Sequence, residues 1–247
     1  MKKTKKTCFI FMAAVIIYMT GFSCVFGDDH ILVESARSYM GHIYPKMITE
    51  FWVTDNSVYL KTSRYFTITR YDLKKKWFIN PEQKRYYERS TDLHTRADQD
   101  TETESNRTIH EVGWEYIPHY DWIVKKPGEK QDINGWECQK VIADGDADYA
   151  EKTIEIWMSK DVPVDIKRFN HMTQLENQEW KDIFQNSPEL RDFFMVKTKH
   201  TIVNAIAPNM YKENKVIKAE TADPPQNIYE LPEGLEKVKS IEELFSR

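Results

Sequence analysis

Phe51-Trp52-Val53-Thr54, Val58-Tyr59-Leu60-Lys61-Thr62, Arg64-Tyr65-Phe66-Thr67-Ile68-Thr69-Arg70-Tyr71, Trp77-Phe78-Ile79 and Tyr86-Tyr87 follow one another between Phe51 and Glu88. Apolar and polar residues alternate with a period of two, and the apolar ones are aromatic or β-branched, as strands require. The connections, Asp55-Asn56-Ser57, Asp72-Leu73-Lys74-Lys75-Lys76 and Asn80-Pro81-Glu82-Gln83, are a few residues long. The last suits a type I turn with Pro at its second position. Parallel strands need crossovers of about a dozen residues, so the run reads as an antiparallel meander. A sheet this rich in large apolar side chains must close on itself or be covered.

Working outward, a second β region runs from Trp114 to Ser159. Its strongest local signal is Asn134-Gly135, the hairpin dipeptide, which returns the chain into a strand from Trp136 to Ala143. Asp144-Gly145-Asp146-Ala147-Asp148 reads as the next turn. It lacks the spaced later ligands and the twelfth-position Glu of a calcium loop. Ile154, Ile156 and Met158 then alternate against Thr153, Glu155 and Trp157. Periodicity therefore predicts one concave, inward face carrying Leu60, Phe66, Ile68, Trp77, Ile79, Ile154, Ile156 and Met158. Lys61, Thr67, Thr69, Lys152 and Glu155 are expected outside it. Trp52 and Trp157 break the alternation, and their faces stay open.

From Asp165 to about Val196 the period becomes helical. Phe169, Met172, Trp180, Phe184 and Phe193 are expected on the sheet side as a lid, and Ser187-Pro188-Glu189-Leu190 opens a short helix within it. Residues 28–47 read as an opening helix, with Leu32, Ala36, Tyr39 and Met40 on one face and Gly41 at its end. Segment 91–111 is nearly devoid of apolar residues and reads as a polar connection. Strands resume at His200-Thr201-Ile202-Val203 and Lys215-Val216-Ile217-Lys218-Ala219. An edge strand around Tyr229 to Val238 and a short charged helix through Leu244 close the chain.

The N-terminus reads as a secretory signal peptide. Lys2, Lys3, Lys5 and Lys6 precede an apolar core from Cys8 to Phe22, and Val25 and Gly27 sit at the small-residue positions before Asp28. The core is shorter than the roughly 18–20 residues a membrane span needs. Residues 1–27 are thus expected to be removed, leaving 28–247 as a single domain in the periplasm. Cys24 just after the apolar core is the alternative, a lipidation site, but Gly21 stands where Leu is usual. Loss of the four lysines moves the formal net charge from −4 to −8. An acidic chain argues against nucleic acid as a partner. Cys138 is then the lone cysteine, read as a small buried apolar residue.

Motifs that carry chemistry are missing from the sequence. It contains no Gly-rich phosphate loop, His-Glu-x-x-His, Cys-x-x-Cys or Gly-x-Ser-x-Gly. His119-Tyr120-Asp121 is the one dense polar cluster containing a base, without a nucleophile beside it, and His110 and His119 are weak metal candidates. No cofactor and no enzymatic activity are expected. A mean hydropathy of −0.65 together with 13% aromatic residues describes a charged shell around an aromatic interior.

Glu50-Phe51-Trp52-Val53, Tyr71-Asp72-Leu73-Lys74-Lys75-Lys76-Trp77-Phe78-Ile79-Asn80-Pro81, Lys84-Arg85-Tyr86-Tyr87-Glu88, Ile133-Asn134-Gly135-Trp136-Glu137-Cys138, Glu155-Ile156-Trp157 and Leu231-Pro232-Glu233-Gly234 resemble the outer-membrane lipoprotein-sorting carriers (the LolA/LolB-like superfamily). They resemble more closely a related exported bacterial family of unknown function with the same fold. The resemblance implies an α+β, mostly β architecture: an unclosed β-barrel or half-barrel with helices over its concave face. It also implies an apolar cavity that takes a lipid, a lipoprotein acyl chain or a similar amphiphile. Leu60, Phe66, Ile68, Trp77, Ile79, Ile154, Ile156, Met158, Phe169, Met172 and Phe184 would line that cavity, with at least one of Met172 and Phe184 a pocket residue. The helical stretch 165–196 and the segment 91–111 depart from the carriers. The alternative function is a cell-envelope signalling or scaffold module whose filled core binds a protein partner.

Overall fold

The computed structural model describes residues 27–91, 120–147, 150–204 and 209–246. The segments expected to be the signal peptide, with Cys24, and the polar connection, with His110, lie outside the described residues or nearly so, as does the expected start of the second β region, with Trp114 and His119.

The meander is present strand for strand. β3 (Met47–Val53), β4 (Ser57–Lys61), β5 (Phe66–Arg70), β6 (Lys75–Asn80) and β7 (Arg85–Ser90) pair in sequence order, each antiparallel to the next. The Asn80 turn is held by its own side chain, whose Oδ1 accepts from the backbone N–H groups of Glu82 and Gln83 at 3.2 Å.

The segment expected to open the chain as a helix is instead β1 (Asp28–Tyr39), followed by a short β2 (His42–Ile43). β1 lies inside the sheet, flanked by β3 on one side and β13 on the other. Two full ladders of hydrogen bonds outweigh the weak helical pattern, and the buried residues Asp29 and Ile31 alternate with half-buried ones as a strand demands. At the far end of β1 the hairpin tip leaves Met40 and Ile43 exposed.

The second β region gives β8 (Asp121–Lys125), β9 (Lys130–Ile133), β10 (Trp136–Ala147) and β11 (Ala150–Ser159). Asn134 and Gly135 both take positive φ, 56° and 87°, as a type I′ hairpin turn requires, and Ile133 pairs with Trp136 across it. Asp144 to Ala147, expected in a turn, continue β10. Gly145 is there for close approach: a Cβ on it would lie 2.8 Å from the Trp122 ring and 2.9 Å from Cβ of Tyr120. β12 (Phe194–Asn204), β13 (Met210–Ala222) and β14 (Glu236–Val238) complete the sheet. Its order is β14-β7-β6-β5-β4-β3-β1-β13-β12-β11-β10-β8, with β2 and β9 off that path. β14 joins β7 in parallel; every other pairing is antiparallel. The two ends of this order do not meet, so the sheet is curved but not closed into a barrel.

Helices α1 (Ile166–Glu176) and α2 (Gln178–Asn186) and a 3-10 turn (Pro188–Asp192) form the covering layer, and a short α3 (Ile241–Phe245) lies near the C-terminus. The helical stretch ends sooner than its apolar pattern, because Phe194 begins β12. Asp165 caps α1, accepting from the Arg168 N–H, and Asn177 both interrupts the helical run and caps α2, accepting from the Glu179 N–H. The layer is strapped to the start of β1. Buried Asp29 accepts from the Asp165 N–H at 2.9 Å, and Arg168 reaches the Gly27 carbonyl and the Asp55 carboxylate at 3.3 and 2.8 Å. The other Asp29 oxygen, Oδ2, lies 3.5 Å from Arg168 and has no hydrogen-bond partner. Desolvation raises the Asp29 pKa to about 6, against the opposing pull of the Asp165 N–H and the Arg168 charge.

Candidate functional site

Register decides which predicted residues share a face. Ile154, Ile156 and Met158 do face the helices, packed with Trp180, Ile183, Phe184 and Leu190. Val53 and Val58 continue the same layer against Met172, with Phe51 and Phe169 beside them. Leu60 pairs with Phe51 and with Thr67, so it belongs to this helix-covered face.

Ile68 pairs with Tyr59 and Trp77, and Phe66 with Lys61 and Ile79. These four residues, Phe66, Ile68, Trp77 and Ile79, therefore project from the opposite face. The expected single inward face is overturned: Leu60 and Ile68 stand on opposite sides. Leu60 begins its alternation at Val58, whereas Phe66 and Ile68 follow a connection that shifts parity by one. Period-two patterns within each strand cannot reveal that shift between strands. Thr67 and Thr69, expected outside, are buried on the helix side. Lys152, expected outside, shares the face of Ile154 and meets Glu179 of α2 at 2.5 Å. Trp52 pairs with Tyr59 and so joins Ile68 and Trp77.

The side chains under the helices pack closely together. Ile154, Ile156, Met158, Ile183 and Phe184 are each at most 1% exposed, Met172 is 3% exposed, and none of them lines either of the two clefts described below. Phe169 is half-buried and rests on Phe194, with ring centroids 4.6 Å apart. Asn170 ties the layer together by donating to the backbone carbonyls of Arg191 and Phe193 at 2.9 and 2.8 Å.

The opposite face carries the more apolar cleft. Ile68, Trp77 and Ile79 pack against Leu231 and Leu235 of the C-terminal segment. Beside them Phe66, Ile79, Pro81, Lys84, Glu233 and Leu235 surround a depression of about 290 Å³. The geometry is set by the Glu236 N–H donating to the Lys84 carbonyl at 2.9 Å, and by Asn80 donating to the Leu244 carbonyl at 3.0 Å. Trp77 Nε1 donates to Glu88 at 2.8 Å, which fixes its ring within the cluster of Ile68 and Ile79. The pattern gave Phe66 and Ile79 but missed Leu235. Its signal was the Leu231-Pro232-Glu233-Gly234 run, noted for resemblance and not for contact. A second cleft, of about 400 Å³ and polar, lies on the outer side of α1.

Chemistry is sparse. Among the described residues no three metal-binding side chains come together. Burial lowers the His200 pKa to about 3, with the charges of Lys152 and Lys212 adding to the effect. Cys138 is fully buried and donates to the Trp136 carbonyl; burial pushes its thiol up to about 11, far from a reactive thiolate. Tyr120 of the one polar cluster is buried against Trp122, and Asp121 beside it is exposed.

A family model described as a domain of unknown function (DUF4412) matches residues 118–235. No curated protein matches the chain. Among solved structures, the chain is similar to PNGF-II in its C2 crystal form at 10% identity and a TM-score of 0.39, covering 88% of this chain and 32% of that one. It thus spans about a third of PNGF-II. It is similar to the LolA superfamily protein NE2245 from Nitrosomonas europaea at 7% identity and a TM-score of 0.32, covering 82% and 90%. It is also similar to MucB in complex with MucA(peri), at 8% identity and a TM-score of 0.36, covering 86% and 57%. None of these similarities assigns a role to a residue of this chain.

Proposed function

We propose that the chain is a non-enzymatic binding protein of the periplasm whose helix-covered face is a filled, rigid core and whose partner is another envelope protein. The observation that carries this reading is the packing beneath α1 and α2, where Ile156, Ile183 and Phe184 are each at most 1% exposed and belong to one apolar cluster. Export is supported by the layout of residues 1–27. The apolar depression beside Phe66 and Leu235, at about 290 Å³, falls at the lower end of small-molecule sites, which run to about 1,000 Å³. It suits one or two apolar side chains of a partner, with Lys84 and Glu233 at its rim.

The carrier reading, with a lipid or lipoprotein acyl chain as cargo, is favoured by the helical layer over the sheet. A buried methylene contributes about 0.8 kcal/mol, so even a partial cavity would bind an amphiphile usefully. Native mass spectrometry and an environment-sensitive fatty-acid probe separate the two. The scaffold reading expects no co-purified lipid and no saturable probe binding. A photo-crosslinker in place of Phe66 or Leu235 should capture an envelope protein, while one at exposed Leu175 on α1 should not. Stoichiometric probe binding that weakens on Met172→Ala or Phe184→Ala would instead make the protein a carrier.

A further inference from the structure

The polar cleft outside the helical layer has the makings of a second site. It lies between α1 and the 3-10 turn, at about 400 Å³ within the range of small-molecule sites. Lys167, Asn170, His171 and Gln174 follow the i, i+3, i+4, i+7 spacing that puts them on one side of α1, and Arg191 and Asp192 face them from the turn. The floor is fixed. Asn170 is 1% exposed, and its amide nitrogen is spent on the Arg191 and Phe193 carbonyls, which orients the group and leaves Oδ1 without a hydrogen-bond partner. Gln174 is held too, donating to the Asn170 carbonyl at 2.9 Å.

The cleft is lined by two cations, Lys167 and Arg191, and one carboxylate, Asp192. Some other cations on or against the helical layer are paired, Arg168 with Asp55 and Asp29, Lys152 with Glu179 and Lys126 with Glu189, whereas Lys160 lies over the Phe193 ring. Among the described residues Lys167 and Arg191 enter no ion pair, although the chain as a whole is acidic. Two cations from different elements, neither in an ion pair, line one preformed depression together with the Asp192 carboxylate, and this set matches a particular ligand chemistry. We propose that the cleft binds a small hydroxyl-bearing anion, a polyol phosphate or an acidic sugar. Its anionic group sits between Lys167 and Arg191, and its hydroxyls donate to Asp192. The proposal does not depend on how the apolar cleft is used.

Isothermal titration of the full-length mature protein with glucose 1-phosphate, glycerol 3-phosphate, glucuronate, inorganic phosphate and glucose tests it. Saturable binding of at least one of the three hydroxyl-bearing anions is expected, with none for glucose. The phosphate and carboxylate arms identify the anionic group. Lys167→Met and Arg191→Met should each weaken binding by about tenfold or more, the scale of a charge-assisted hydrogen bond, without moving the melting temperature. Asp192→Asn should weaken the hydroxyl-bearing ligands and spare inorganic phosphate. Lys215→Met, on the sheet, should change nothing. Failure of all three anions to bind at millimolar concentration would overturn the proposal. So would inorganic phosphate binding as tightly as the polyol phosphates, or losses in the Lys215 variant equal to those at Lys167.

Discussion

Truncating Phe184 to Ala tests whether the sheet and helices enclose a solid core. Phe184 is 1% exposed and sits among Ile154, Ile156, Trp180 and Ile183, with the Trp180 ring centroid 6.3 Å from its own. A buried Phe removes about 150–250 Å² from water, and its truncation in a close-packed site costs about 3–5 kcal/mol including the residual cavity. Domains are stable by only about 5–15 kcal/mol, so the loss should be plain in equilibrium urea unfolding. With a slope of about 2 kcal/mol per molar urea, the midpoint should fall by roughly 1.5–2.5 M at unchanged slope. Tryptophan fluorescence reads the transition directly, since Trp180 lies in the same cluster. A midpoint shift under about 0.5 M would refute the packing argument, because a side chain lining an existing cavity has little to lose.

Three further outcomes follow from the same structure. Ile68→Ala should cost about 2–5 kcal/mol and Leu60→Ala clearly less, since Ile68 is 1% exposed in a cluster and Leu60 is half-buried outside one; equal losses in urea unfolding would contradict the face assignment. Gly145→Ala should destabilise by about 1–3 kcal/mol, because its methyl group would press on the Trp122 ring and on Cβ of Tyr120; an unchanged melting temperature would mean that β8 yields freely. Asp29, pushed up to about 6 by desolvation, is charged and costly in the native state above that pH, whereas its unfolded carboxyl titrates near 3.8. Wild type should therefore gain up to about 3 kcal/mol relative to Asp29→Asn as the pH falls from 7 toward 4; parallel pH profiles of the two proteins would reject the shift.

The meander was legible because each strand, its turn and its partner are neighbours in sequence, and the Asn134-Gly135 hairpin because both residues accept positive φ. β1 was not. Its two partners, β3 and β13, supply the ladders that make it a strand, and β13 lies near the other end of the chain. Leu60 and Ile68 show the same limit at the level of the site: alternation orders residues within β4 and within β5, while the Lys61–Phe66 pairing that relates the two strands is set by the connection between them. The C-terminal wall at Leu235 and the clamp from Asn170 to the 3-10 turn were out of reach for a different reason. Both are contacts between irregular segments, which carry no period to read.

The place of β1 has a bearing on when the chain can fold. Asp28 pairs with Ala222, and Tyr39 with Met210, so the first strand waits for one that follows it by more than 170 residues. Contacts that distant form slowly, because a long loop must close before any bond repays it. A ribosome releasing the chain from its N-terminus would expose β1 with only β2 and β3 as partners until nearly the whole sequence had emerged. The native sheet therefore cannot be completed by a partial chain. Topology alone would hold β1 half-paired, and the sheet incomplete, until β13 arrives.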